Sequence, residues 1–237
     1  MNFTIGKKYT HFEAQLTTHI DSFETSGVQF GDAGRNTIKL FDLEGEQINV
    51  KSFKVPNLIN QVVYNFFRKS KAQRSFEYAS KLLSLDIGTP TPIAFYERPT
   101  IFLFKKSYYI SQHVNYDLTY RELTTNLEYP DSEKIIRKFT RFTFDLHEKG
   151  VNFLDHSPGN TLITKTSDSY DFSIVDLNRM KFGYMDFNTR IRNFAKLTIH
   201  KSIIEVMSDE YAKCSGHDFT TIFKLMWEST ESFQMEY

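Results

Sequence analysis

The sequence predicts an α+β chain in two lobes: a strand-rich N-terminal lobe carrying helix, and a smaller, mostly helical C-terminal lobe. Three observations predict it. Apolar residues alternate with polar ones from about Val28 to Lys54, the period of a half-buried strand. Helical spacing then governs Pro56 to Leu85 and the stretch that follows Pro130. After an apolar strand near Phe172 to Leu177, the remainder from about Thr189 to Phe233 reads as helices. Strands, helix, strands and then helices make an α+β order, with the boundary near Gln112 to Asp117 and lobes of 1–112 and 113–237.

The elements follow in order. Asn36 to Leu43 and Gln47 to Phe53 read as strands joined by a turn at Glu44-Gly45-Glu46, and Gly31-Asp32-Ala33-Gly34 marks an earlier turn. Leu58, Ile59, Val62, Val63, Phe66 and Phe67 recur at helical spacing, and a second helical stretch runs from about Ser70 to Leu85. Gly88-Thr89-Pro90-Thr91-Pro92 breaks the chain. Two strands follow, about Ile93 to Glu97 and Ile101 to Ser111. Pro130-Asp131-Ser132 opens a long helix, with Asp131 or Ser132 as its cap. Its stripe is Ile135, Phe139, Phe142 and Leu146, one helical face, and Gly150 stands where a helix terminator belongs.

Composition excludes several classes. The 237 residues suffice to bury a core, and 40% hydrophobic with 24% charged residues is ordinary for a globular chain. Lys plus Arg equals Asp plus Glu at 29 each, so charge offers no argument for nucleic acid. A single cysteine excludes an internal disulfide framework and a cysteine-based metal site. His113, His147, His156 and His200 show no metal-ligand spacing. No apolar run approaches the roughly 18–20 residues that span a bilayer, and Met1 to Lys8 lacks the apolar core of a signal peptide. The expectation is a cytoplasmic protein.

The residues that carry chemistry are few and ordered. Leu154-Asp155-His156-Ser157-Pro158-Gly159-Asn160 follows the long helix and precedes an apolar strand. A carboxylate and a carboxamide five positions apart on a tight loop can face one site. The first can take a hydroxyl proton, and the second can bind a metal through its oxygen. The bland alternative is an Asp/Asn-rich turn. Phe172-Ser173-Ile174-Val175 ends in Asp176, a second candidate metal ligand or a plain turn cap. In Ile48-Asn49-Val50-Lys51 the alternation sets Lys51 on the face opposite Ile48 and Val50, as a candidate phosphate-binding lysine; a one-residue slip would substitute Lys54. Between Lys54 and Leu85 the only acidic residue is Glu77, the one carboxylate there that can partner such a lysine. Gly31 and Gly34 are candidates for backbone approach to phosphates.

Together, Lys51, Glu77, Asp155, Asn160 and Asp176 occur in the order of a protein-kinase-like fold. The Pro-Gly-Asn ending resembles that of small-molecule kinases. The runs Lys51-Ser52-Phe53-Lys54, Arg68 to Ser75, Gly88 to Pro92, Leu146 to Gly150 and Asp176 to Met180 resemble the lipopolysaccharide core kinases of the Kdo/WaaP type, over roughly residues 28 to 200. The resemblance implies transfer of phosphate from ATP, with Mg²⁺, to a sugar hydroxyl of the lipopolysaccharide inner core (Kdo or heptose). It implies a lipopolysaccharide sugar or lipid-linked precursor as partner, with peripheral contact at the cytoplasmic face of the inner membrane. In these roles Asp155 is the proton acceptor, Asn160 and Asp176 hold metal, and Lys51 with Glu77 holds phosphates. Departures are plain. Phe153-Leu154 precede Asp155 where kinases carry His-Arg or His-Gly, and Leu177-Asn178 follow Asp176 in place of Phe-Gly. A small-molecule or protein kinase of the same fold, and a non-catalytic pseudokinase module, are the alternatives. Arg179, Arg190, Arg192, Lys196 and Lys201 read equally as acid-sugar contacts or as surface charge, and Val62 to Arg74 as a membrane-facing segment or a buried helix with a basic turn.

Overall fold

The computed structural model describes residues 1–31, 36–54, 69–99 and 104–235. The chain divides into two compact units, Met1–Ser84 with Pro90–Val114, and Leu85–Thr89 with Asn115–Tyr237.

The first unit is built on a six-stranded antiparallel sheet. Its strands are β1 (Asn2–Ile5), β2 (Val28–Phe30), β3 (Asn36–Leu43), β4 (Glu46–Phe53), β5 (Pro92–Pro99) and β6 (Phe104–Gln112), in the spatial order β1-β5-β6-β4-β3-β2. Among the described residues two α-helices accompany them, α1 (Glu13–Asp21) and α2 (Lys71–Ser84). Successive strand side chains point to opposite faces. Ile48 and Val50 of β4, Ala94 and Tyr96 of β5 and Ile110 of β6 share one buried cluster with Leu16 and Ile20 of α1. Phe95, between Ala94 and Tyr96, meets Phe76 of α2 at 5.6 Å between ring centroids. The two helices therefore cover opposite faces of the sheet. The expected strands of residues 36–53 and the second helical stretch appear here. The first helical stretch and the Asp32–Gly34 part of the early turn lie outside the described residues.

The second unit contains α3 (Tyr120–Thr125), α4 (Ser132–Glu148), α5 (Phe187–Arg192), α6 (Lys201–Ser215) and α7 (Phe219–Met235). Its strands form two small sheets. One orders β10 (Tyr170–Ile174), β9 (Thr161–Lys165) and β7 (Leu118–Thr119), and the other pairs β11 (Met180–Phe182) with β8 (Val151–Phe153). This corrects one expectation. The C-terminal unit is the larger, even without Leu85–Thr89, which it also claims, and it carries five short strands beside its helices. Gly88 explains the capture. Its carbonyl accepts from Ile174 N at 2.9 Å, and Thr89 Oγ1 donates to Ile174 O at 2.8 Å. A side chain at position 88 would collide with the Phe172 carbonyl, so only glycine allows this approach.

α4 organises the core. Ile135, Phe139 and Leu146 of its stripe are fully buried, and Ile135 and Phe139 share a cluster with Ile204, Met207 and Tyr211 of α6 and Phe172 of β10 among others. The expected cap does not form. Asp131 occupies the N-cap position with φ of 58° and no capping hydrogen bond. Its carboxylate instead accepts from Tyr170 Oη at 2.9 Å, a longer-range partner that wins the side chain. The helix stops as expected: Gly150 takes φ of 67°, and a Cβ there would lie 2.7 Å from Gly183 O. Among the described residues no helix is long and apolar enough to cross a membrane.

Candidate functional site

In the first unit the predicted residues share one sheet face. Val50 is committed to the α1 side, so Lys51 projects to the α2 side, in register with Tyr109, itself opposite Phe95. Lys51 is half-buried, with Nζ 5.3 Å from the centroid of the Phe53 ring. Lys54 lies just past the strand end and is exposed. Glu77, on α2, accepts from Lys69 Nζ at 2.7 and 2.8 Å and from Gln73 Nε2 at 3.0 Å. Lys69 is thus the cation seen at this carboxylate, where the order of motifs expected Lys51; its signal was its place eight residues before Glu77, just ahead of the helix. Gly31 follows β2 with φ of 70° and open space where a Cβ would stand. Gly34 lies outside the described residues.

In the second unit the loop from Asp155 to Asn160 is braced by several hydrogen bonds. His156 N donates to Phe153 O at 3.2 Å and closes a turn around Leu154 and Asp155. Leu154 N donates to Arg179 O at 3.1 Å, and Leu154 O accepts from Lys196 Nζ at 3.1 Å. Asn160 Nδ2 donates to Asp155 O at 2.8 Å. That bond commits the nitrogen end of the carboxamide to the loop and leaves Oδ1 as the end suited to a hard cation. The Asp155 carboxylate lies 3.3 Å from Arg179 Nη1 and 3.9 Å from Lys196 Nζ.

Asp176 is joined to this loop through its neighbour, since Val175 N donates to Asn160 O at 2.9 Å. The strand expected to reach Leu177 pairs only as far as Ile174 with Thr161. Asp176 then turns left-handed with φ of 59°, a conformation uncommon outside glycine but tolerated by aspartate. Its Oδ1 accepts from Asn178 Nδ2 at 2.7 Å. Backbone held in this region concentrates at sites where the surrounding structure enforces a function. Among the described residues no three His, Cys, Asp or Glu side chains gather as a ready-made metal site. One carboxylate and one carboxamide oxygen could supply the donors for a cation that completes its shell with water and phosphate oxygens, the habit of Mg²⁺.

Beneath the loop lies a buried polar network that sequence reasoning missed. Asn193 caps the C-terminus of α5, and its Nδ2 donates to Phe153 O at 2.9 Å and to Asn152 Oδ1 at 3.2 Å. Its Oδ1 therefore faces His147 Nε2 at 3.2 Å and His156 Nδ1 at 3.1 Å. An amide oxygen only accepts, so both of these ring nitrogens carry hydrogen. His147 Nδ1 is then bare and accepts from Tyr211 Oη, 2.9 Å away. His156 Nε2 is bare too, buried and without a hydrogen-bond partner. Both rings are 1% exposed. Burial pushes His147 down to about 3 and His156 down to about 4, so each is neutral at pH 7. His156 braces the loop through the bond of its Nδ1 to Asn193.

No protein-family profile matches the chain, and no curated protein matches it. Among solved structures it is similar to WaaP in complex with acyl carrier protein, with a TM-score of 0.69 and 14% identity over all of both chains. At that identity the likeness concerns the fold alone: the mixed α/β architecture of this chain is similar to that of WaaP.

Proposed function

We propose that the chain is an ATP-dependent kinase that phosphorylates a sugar hydroxyl of the lipopolysaccharide inner core. One observation carries the reading. Asp155, Asn160 and Asp176, singled out by motif order, occupy one hydrogen-bonded unit of loop and strand end, in a fold shared with WaaP. The likeness in fold and the resemblance of motifs thus point to the same family by separate routes.

In this reading Asp155 accepts the proton of the acceptor hydroxyl as its oxygen bonds to the γ-phosphorus and the bond to the departing ADP oxygen breaks. Arg179 and Lys196, 3.3 and 3.9 Å away, aim the carboxylate. Asp176 and Asn160 Oδ1 would hold Mg²⁺, which would supply charge neutralisation on the phosphates. Lys51 is the phosphate-binding lysine, favoured over Lys54 by its half-buried place on the α2 face, and Glu77 is the carboxylate that orients a lysine there. The neighbour was solved with acyl carrier protein, and such a carrier is a further candidate partner for this chain.

The test is Mg²⁺-dependent phosphate transfer from ATP to purified core oligosaccharide, with wild type, Asp155→Ala and Asp176→Ala. Transfer abolished in both folded variants is the expected result. Wild-type transfer in either variant would sink the assignment. Metal-dependent ATP binding without transfer would redirect the search to other acceptors of the same fold.

A further inference from the structure

A cavity of about 480 Å³ opens in the second unit beside the Asp155 loop. Leu154 and His156, the two neighbours of Asp155 in sequence, both line it. Lys196 and Arg192 supply two cations, and Glu228 one anion. Ser229 and Ser232 add hydroxyls, and Phe233 an aromatic face. Lys196 joins the cavity to the candidate base, because its Nζ binds Leu154 O at 3.1 Å, stands 3.9 Å from the Asp155 carboxylate and lies 5.5 Å from the Phe233 ring centroid.

We propose that this cavity is the acceptor site, and that it takes an anionic, polyhydroxylated ligand of sugar size. The inference rests on the kinase reading above for the word acceptor, but its binding chemistry stands on the lining itself. A cavity of this volume holds a small sugar. An aromatic face beside hydroxyls and a carboxylate suits a ring that is apolar on its face and polar at its edge. Lys196 already faces the Asp155 carboxylate, so Arg192 is the cation of the lining that addresses a carboxylate or phosphate substituent. Arg192, exposed at the rim, offers the bidentate fork that either anion accepts. Lys196, tethered to the Leu154 carbonyl and 3.9 Å from the Asp155 carboxylate, links the cavity wall to the candidate base, so that a hydroxyl of the ligand held by Arg192 adjoins Asp155.

Calorimetric titration of the full chain without nucleotide tests this, using glucuronate, glucose 6-phosphate and neutral glucose. At least one anionic sugar is expected to bind, and glucose at least tenfold more weakly; which anion wins separates carboxylate from phosphate. Arg192→Gln is expected to lose at least tenfold in that affinity, and Ser232→Trp, which fills the cavity mouth, to abolish it, with unfolding temperatures unchanged. Equal binding of glucose, no binding of either anion at millimolar concentration, or wild-type affinity in both variants would each overturn the proposal. Its failure is separable from that of the kinase reading. Transfer lost in Asp155→Ala, with an unaltered acceptor KM in Arg192→Gln and Ser232→Trp, removes the cavity and keeps the kinase. Sugar binding lost in those variants, with no transfer by wild type, keeps the cavity and removes the kinase.

Discussion

The paired histidines under the loop make stability steeply pH-dependent in a window where carboxylates contribute little. A histidine in the unfolded chain takes up a proton near 6.5, whereas His156 in the fold does so near 4 and His147 near 3. The fold favours the neutral rings, so their contribution is complete above 6.5 and is lost as pH falls through 6.5 towards the folded values. Each histidine withdraws about 1.4 kcal/mol per pH unit in that interval, so about 2 kcal/mol each, or about 4 kcal/mol for the pair, is gone by pH 5. The carboxylates held below their ordinary range, Asp209 and Glu122 among them, withdraw their share only at lower pH. Trp227, the single tryptophan, packs against the same core and reports the unfolding of this unit. With a urea slope of about 2 kcal/mol per molar, the fluorescence midpoint is expected to fall by about 2 M between pH 7.5 and pH 5. His156→Gln removes one titrating ring, and its midpoint is expected to fall by about half as much over the same interval. A flat wild-type midpoint, or an undiminished fall in the variant, would refute the assignment of neutral, coupled rings.

Three further outcomes follow from particular contacts. Gly88→Ala drives a Cβ into the Phe172 carbonyl and is expected to cost about 2 kcal/mol or more in urea unfolding of the same unit, whereas Gly45→Ala tests positive φ without a steric neighbour and is expected to cost less. Glu210, 2% exposed, accepts from both Arg137 and Arg141, so Arg137→Met leaves a buried carboxylate half-compensated and is expected to lower stability by about 3 kcal/mol. Glu77→Gln is expected to raise the KM for ATP about tenfold, while Lys69→Met separates two roles for its partner. An equal rise there identifies Lys69 as a phosphate contact, and no change identifies it as a surface ion pair with Glu77.

What was legible in the sequence is what short-range periodicity encodes. The stripe of α4 repeats at intervals of four, three and four, and those residues face the core. The hairpin of β3 and β4 alternates, and its side chains divide between the α1 and α2 faces as alternation requires. β1 was not legible. Asn2-Phe3-Thr4-Ile5 carries too short an alternation to announce itself, and it is specified by pairing with β5, more than eighty residues away. The Asp131 cap failed for a related reason: a local rule assigned that carboxylate to its helix, and Tyr170 claims it from another element.

The candidate site divides along the same line. Asp155, Asn160 and Asp176 carry a recognisable order because their spacing is set by one loop and one strand, so sequence and geometry constrain each other. What holds the loop is not local. Asn193 reaches back forty residues to Phe153 and joins two histidines nine residues apart, at the end of α4 and in the loop. None of these residue types in isolation signals a brace, since a lone asparagine at a helix end is ordinarily just a cap. The network also accounts for a departure noted in the motif. The residues before Asp155 are Phe153 and Leu154, with no polar side chain to anchor the turn. Their backbone is anchored instead, with Phe153 O held by Asn193 and Leu154 held through both N and O by Arg179 and Lys196. A loop supported through its backbone makes little demand on the side chains that precede the carboxylate. Their replacement is therefore no argument against catalysis, provided that Asn193, Arg179 and Lys196 are retained.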